Sequence, residues 1–179
     1  MTIKLNPINL DDVLIEKEKN DVDKLLDTFH CRRDLDLERF LKQDAIQFHK
    51  KHRSRTYLFL SDDCKKVLAY VTLGIKSMNI PEANALTNRV KKEMDVYKGV
   101  SQSYLIGQLG KSDGVEKGIG PELIAFSLSV FEKSFRALGC RTVRVDCKQE
   151  LIKFYEDNGF ILISPEKDED ELYHMVLLF

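Results

Sequence analysis

The chain has 179 residues, 43% of them apolar and 32% charged. That balance excludes a disordered chain, and the length supports one full core but not two ordinary domains. One domain spanning 1–179 is therefore expected. The net charge of −1 excludes a global attraction to nucleic acid or an anionic membrane, so any polyanion would have to meet a local patch. No apolar run is long enough to cross a bilayer, and the start, MTIKLNPINLDDV, lacks the charged start and hydrophobic stretch of a signal peptide. A cytoplasmic protein without a membrane partner is expected. The cysteines, Cys31, Cys64, Cys140 and Cys147, are scattered without a CxxC, which points to reduced thiols rather than a zinc site or a disulfide framework. The histidines show no ligand spacing, and no metal is expected.

In chain order, Ile3-Lys4-Leu5 reads as an edge strand. Asn9 or Asp11 can cap a helix beginning near Asp12, with Val13, Leu14, Val22, Leu25, Leu26 and Phe29 as its stripe and a break at Asn20-Asp21. Asp36 caps a second helix from Leu37 to about His49, in which Phe40, Leu41, Ala45 and Phe48 share a face and Asp44 flanks it. The basic run His49, Lys50, Lys51, His52, Arg53, Arg55 has two readings: charge complementing a helix C-terminus, or a phosphate or RNA contact. Thr56–Leu60 and Val67–Ile75 form a hairpin. Pro81 opens a helix through Leu86, Val90 and Met94, read as an exposed insertion beside a substrate groove.

Tyr104–Lys111 is a strand interrupted by Gly107 and Gly110, which mark a bulge or a close backbone approach. Gly114, Gly118 and Gly120 follow, and Pro121 fits the first turn of a helix. That helix carries Leu123, Ile124, Phe126, Leu128, Val130, Phe131 and Phe135, an apolar girth that predicts burial against a sheet, and Gly139 ends it. Glycines ahead of a helix turn backbone N–H groups toward one point, where the positive helix end adds to them; that combination suits a phosphate. Thr142–Val145 is a strand, Gln149 to about Asn158 a short helix, and Phe160–Ile163 and Leu172–Phe179 are the last strands. The pattern predicts a mixed α/β sheet with helices on its faces.

These residues resemble the GNAT family of N-acetyltransferases. Val115-Glu116-Lys117-Gly118-Ile119-Gly120 matches the family's Gln/Arg-x-x-Gly-x-Gly/Ala signature except at Val115, which offers no side-chain donor. Phe154-Tyr155-Glu156-Asp157-Asn158-Gly159-Phe160 matches its second signature, Phe-Tyr-x-x-x-Gly-Phe, in full. Order and spacing agree, and the likeness covers most of the chain. Phe29-x-Cys31, Leu37-x-x-Phe40-Leu41, Ala45 and Arg55-Thr56-Tyr57 are similar to the subgroup related to toxins that acetylate aminoacyl-tRNA.

The resemblance implies a mostly antiparallel sheet with helices on both faces and acetyl-CoA as cosubstrate. It implies that the amides of Lys117, Gly118, Ile119, Gly120 and Glu122 hold the pyrophosphate, and that the backbone of Leu109 and Lys111 pairs with the pantetheine arm. Lys117 or Lys111 would offset the missing side chain at Val115. Tyr155 would be the general acid for the thiolate, since a phenol with a pKa near ~10 keeps its proton at neutral pH. Lys148 stands where relatives place a coenzyme-touching asparagine. No general base is apparent: Asp146 reads better as a helix cap, and Cys147 as a buried structural thiol. The acceptor is an amine-bearing small molecule, a peptide or aminoacyl-tRNA, and a homodimer is open as the assembly. The competing reading is a non-catalytic module that binds coenzyme or a partner.

Overall fold

The computed structural model describes residues 6–179; the expected strand at Ile3–Leu5 lies outside them. The elements in order are β1 (Pro7–Asn9), α1 (Leu10–Glu16), α2 (Lys19–Asp27), α3 (Leu35–Arg39), a π-helical turn (Phe40–Asp44), α4 (Ala45–Lys50), β2 (Arg55–Leu60) and β3 (Val67–Asn79). There follow α5 (Asn88–Glu93), β4 (Val100–Lys111), α6 (Gly120–Leu138), β5 (Thr142–Cys147), a 3-10 turn (Gln149–Leu151), α7 (Ile152–Asp157), β6 (Ile161–Leu162) and β7 (Tyr173–Leu178). The strands hydrogen-bond in the order β1-β2-β3-β4-β5-β7-β6. β1–β2, β2–β3, β5–β7 and β6–β7 are antiparallel, and β4–β5 is parallel. This is the expected mixed, mostly antiparallel sheet. Among the described residues no helix is long and apolar enough to cross a membrane.

The chain divides into two compact units, one of residues 1–73 with 108–123, the other of 74–107 with 124–179. In the first unit, Leu10, Val22, Leu26, Phe29, Leu41, Leu58 and Tyr70 form the centre of a core closed to solvent. The Phe29 and Tyr70 rings meet edge to face at 5.1 Å, and the Tyr70 hydroxyl donates to Leu37 O at 2.8 Å. Asn9 caps α1 through the Asp11 amide. The chain breaks at Lys17–Glu18 rather than at Asn20-Asp21. The second cap is Asp34, not Asp36: its carboxylate accepts from the Asp36 amide, and the helix starts at Leu35. A π-turn then interrupts what periodicity reads as one helix, and Asp44 at its end is exposed as expected.

In the second unit, Met78, Leu86, Met94, Ile163 and Val176 form a separate core. Residues 78–100 are therefore more than an exposed insertion. Their helix is only α5, capped by Thr87; Pro81 precedes a turn in which the Asn84 side chain donates to Pro81 O. α6 buries Ile124, Ser127 and Phe131 but leaves Leu138 82% exposed, so it is amphipathic rather than apolar all round. Phe131 stacks on Tyr104 at 4.9 Å. Gly139 ends the helix at φ +84°, with its carbonyl accepting from the Tyr104 hydroxyl at 2.7 Å.

Candidate functional site

The glycine loop belongs to the first unit, and its first half is fastened down. Ser112 N donates to Leu68 O at 2.7 Å and Asp113 N to His30 O at 2.6 Å. The Asp113 carboxylate accepts from the Arg32 amide at 3.2 Å, and Val115 N turns back to Ser112 O at 3.3 Å. Gly110 explains the tight seat of the strand beneath: a Cβ there would lie 3.2 Å from ring atoms of both Phe29 and Tyr70. The expected close approach at Gly110 is thus made by side chains of the core rather than by another backbone.

The second half of the loop is open. Gly114 and Gly118 hold φ of +80° and +101°, a region L side chains rarely adopt, and nothing lies within 4 Å of a Cβ built on either. Leu123 N bonds Ile119 O at 3.1 Å. The amides before it in α6 are those a helix leaves without an internal partner. The open space over Gly118, the helix N-terminus beyond it and the exposed Lys117 fit a diphosphate. The Lys111 ammonium donates to Val115 O at 2.7 Å, so a cation sits at the root of the loop. Leu109 and Lys111, both half-buried, close β4. A cleft of about 750 Å³ opens beside the loop in this unit, lined among others by His30, Arg32, Lys66, Ser112, Asp113 and Val115. Sequence reasoning missed it because His30, Arg32 and Lys66 are far from the loop in the chain.

The basic run divides. His49 is buried, and its Nδ1 accepts from the Thr56 amide at 3.4 Å. Arg55 donates to His49 O and meets His52 Nδ1 at 2.7 Å, and Arg53 lies over the Phe48 ring. These are local contacts of a helix end; Lys50, Lys51, His52 and Arg53 remain exposed.

Tyr155 belongs to the second unit and is 6% exposed. Its ring meets Phe154 at 5.0 Å and Phe160 at 5.5 Å, both edge to face. Burial, with the nearby Cys147 and Asp146, pushes its hydroxyl well above the ordinary tyrosine range, so it holds its proton at neutral pH. Gly159 at φ +87° ends the short helix that carries it. Burial pushes the Cys147 thiol up to about 11, which leaves it a structural thiol rather than a nucleophile. Lys148 caps the 3-10 turn without a side-chain cap bond.

Asp146 is neither a helix cap nor a free base. It accepts from Arg144 Nε at 2.6 Å and Nη2 at 2.8 Å, and its Oδ1 lies 2.6 Å from His174 Nδ1. Burial raises its pKa, but the bonds from His174 and Arg144 outweigh this and hold it below the usual carboxylate value. His174 Nε2 faces Asp168 at 3.2 Å. His174, unmarked by any motif, lines a second cleft of about 500 Å³ with Asn79, Pro81, Glu166, Lys167 and Asp168. The parallel pairing of β4 with β5 covers Tyr104–Ile106 against Val143–Val145, while β4 itself runs on to Lys111.

No family model matches the chain, and no curated protein does. Solved structures do. The structure of AtaT complexed with acetyl-methionyl-tRNA is similar over 97% of this chain and 94% of that one, at 21% identity and a TM-score of 0.75. A point mutant of KacT is similar over 97% and 94%, at 20% identity and a TM-score of 0.77. AtaTR bound with acetyl-CoA matches over 97% and 92%, at 21% identity and a TM-score of 0.66. The chain has the fold of these proteins from near one end to the other.

Proposed function

We propose that this chain is an acetyl-CoA-dependent N-acetyltransferase, acting as one cytoplasmic domain and moving an acetyl group directly to a primary amine. The observation that carries the proposal is the open half of the glycine loop, with positive-φ Gly114 and Gly118 leading into the N-terminus of α6. It stands on a fold shared with a structure named for acetyl-CoA. The amides of Lys117, Gly118, Ile119, Gly120 and Glu122 bind the diphosphate, and the backbone of Leu109 and Lys111 orients the pantetheine arm. When bound, the coenzyme supplies an acetyl thioester. Tyr155 then gives its proton to the departing sulfur and regains one from solvent. The amine loses its proton to solvent, since Asp146 is engaged by Arg144 and His174.

Among acceptors we favour the amine of aminoacyl-tRNA, because AtaT was captured with acetyl-methionyl-tRNA. The near-neutral charge confines any tRNA contact to local patches, of which Lys50 and Lys51 are one. The test is calorimetry with acetyl-CoA, followed by thiol release over a panel of small amines, peptides and aminoacyl-tRNAs. Binding with turnover on aminoacyl-tRNA is expected; absence of binding and turnover sinks the proposal, and binding without turnover favours the non-catalytic module. Tyr155→Phe keeps the ring and removes the proton. It should lower kcat by about 10²-fold or more, the usual contribution of a general acid, with coenzyme affinity unchanged. An unaltered kcat removes Tyr155 from the mechanism.

A further inference from the structure

We infer that Lys111 is the cation of the phosphate site, acting from beneath the loop through its tie to Val115; the inference rests on the reading of that loop as a diphosphate cradle. The loop is a poor anion site by its own side chains. From 111 to 122 it carries Asp113, Glu116 and Glu122 against Lys111 and Lys117; Asp113 is paired with Arg32 at 3.5 Å, so without Lys111 two acidic groups stand against Lys117 alone. Glu116, Lys117 and Glu122 are exposed, where charge is screened and side chains are free to swing away. Lys111 is half-buried and held: its ammonium donates to Val115 O at 2.7 Å, across the turn closed by Val115 N on Ser112 O.

An ammonium carries three donors, and Val115 O takes one. Among the described residues no carboxylate pairs with it. Its charge is therefore not cancelled locally and adds to the positive end of α6. Because the stem is anchored in β4 and the head is tied, little side-chain freedom remains to be lost when a ligand binds. The carbonyl tie also fixes Val115, from which the open half of the loop begins. One side chain thus shapes the loop and supplies the charge its exposed groups lack.

The experiment compares wild type with Lys111→Gln, Lys111→Arg and Lys117→Gln by calorimetry. The probes are coenzyme A, ADP as a diphosphate without pantetheine, and pantetheine without phosphate. Gln is neutral, keeps a donor and ends one bond short of the lysine nitrogen, so the Arg variant separates lost charge from a lost tie to Val115. Lys111→Gln should weaken coenzyme A and ADP by about tenfold or more, the scale of one charge-assisted contact, and leave pantetheine unchanged. Lys111→Arg should stay within about threefold of wild type, and Lys117→Gln should lose less than Lys111→Gln. Unchanged affinity in Lys111→Gln overturns the inference while leaving the acetyltransferase reading intact. So does equal weakening of all three probes, or a loss of about tenfold or more for coenzyme A and ADP in Lys117→Gln against wild type, a measurement that stands even if Lys111→Gln does not fold. A wild-type chain that binds neither coenzyme A nor ADP overturns the underlying reading instead.

Discussion

Asp146→Asn should destabilise the protein by about 3–5 kcal/mol without the removal of a single core atom. The carboxylate takes two bonds from Arg144 and one from His174, and the Arg144 side chain is only 8% exposed. Asparagine presents one oxygen and an NH2 group, so a donor of the mutant side chain faces a donor of Arg144 or His174. What remains is a buried guanidinium left with Ser77 O at 3.3 Å and the His174 Nδ1 at 3.2 Å. Breaking one side of a buried ion pair typically costs about 3–5 kcal/mol, because the partner's charge is left uncompensated. Urea denaturation at pH 7 measures it. The pH dependence gives an independent check. The folded pKa of Asp146 is depressed, so its stabilisation is complete above the unfolded value of about 4 and is lost as pH falls through the folded value. The gap between wild type and variant should therefore narrow in acid. Replacing Asp146, Arg144 and His174 together by apolar residues of similar volume should recover much of the loss. A gap under about 1 kcal/mol at pH 7, well below the range for a broken buried pair, refutes the account and returns Asp146 to the pool of candidate bases.

Gly110→Ala should cost about 1–3 kcal/mol by overpacking. The new Cβ meets Phe29 and Tyr70 at 3.2 Å, and Tyr70 is pinned by Leu37 O; Phe29→Leu on that background should restore part of the loss, read by urea denaturation. His49 is held neutral, its pKa lowered by burial first and then by the Arg55 charge. Below pH of about 6.5 the unfolded chain takes up a proton that the folded chain resists, so stability falls with pH toward the depressed folded value. His49→Gln should flatten the stability profile between pH 7 and 5, and an unchanged slope removes His49 as its source.

The fold was largely legible because most of its elements are announced locally. The hairpin of β2 and β3, the strand β4 and the helix α6 each follow from alternation, periodicity or a terminal glycine. The misreadings share a cause. Position 34 beat 36 as a cap because the choice depends on which carboxylate reaches an amide, a matter of one turn of backbone. The π-turn at Phe40–Asp44 is silent because it inserts a residue into the helical ladder without changing residue type. Residues 78–100 look like an exposed excursion because Leu86 and Met94 are isolated large apolar residues in a polar and charged stretch. Their burial against Ile163 and Val176 is a long-range fact that no window contains.

The site divides along the same line. Gly114 and Gly118 were visible because positive φ selects glycine, so backbone conformation was written into residue type. The partners that set the charges were not. Asp146 meets His174 across the β5–β7 register. A one-residue slip would send His174 to the other face of the sheet, so no spacing rule could pair them. Lys111 meets Val115 through a turn whose path is fixed by Leu68 and His30, both remote in the chain. A sequence motif thus records where amides are exposed to a ligand, since that is a property of the backbone. The side chains that charge the site or are withdrawn from it depend on tertiary neighbours. This is why Val115, lacking a donor of its own, reads as a defect in the motif yet offers the carbonyl that holds a cation in place.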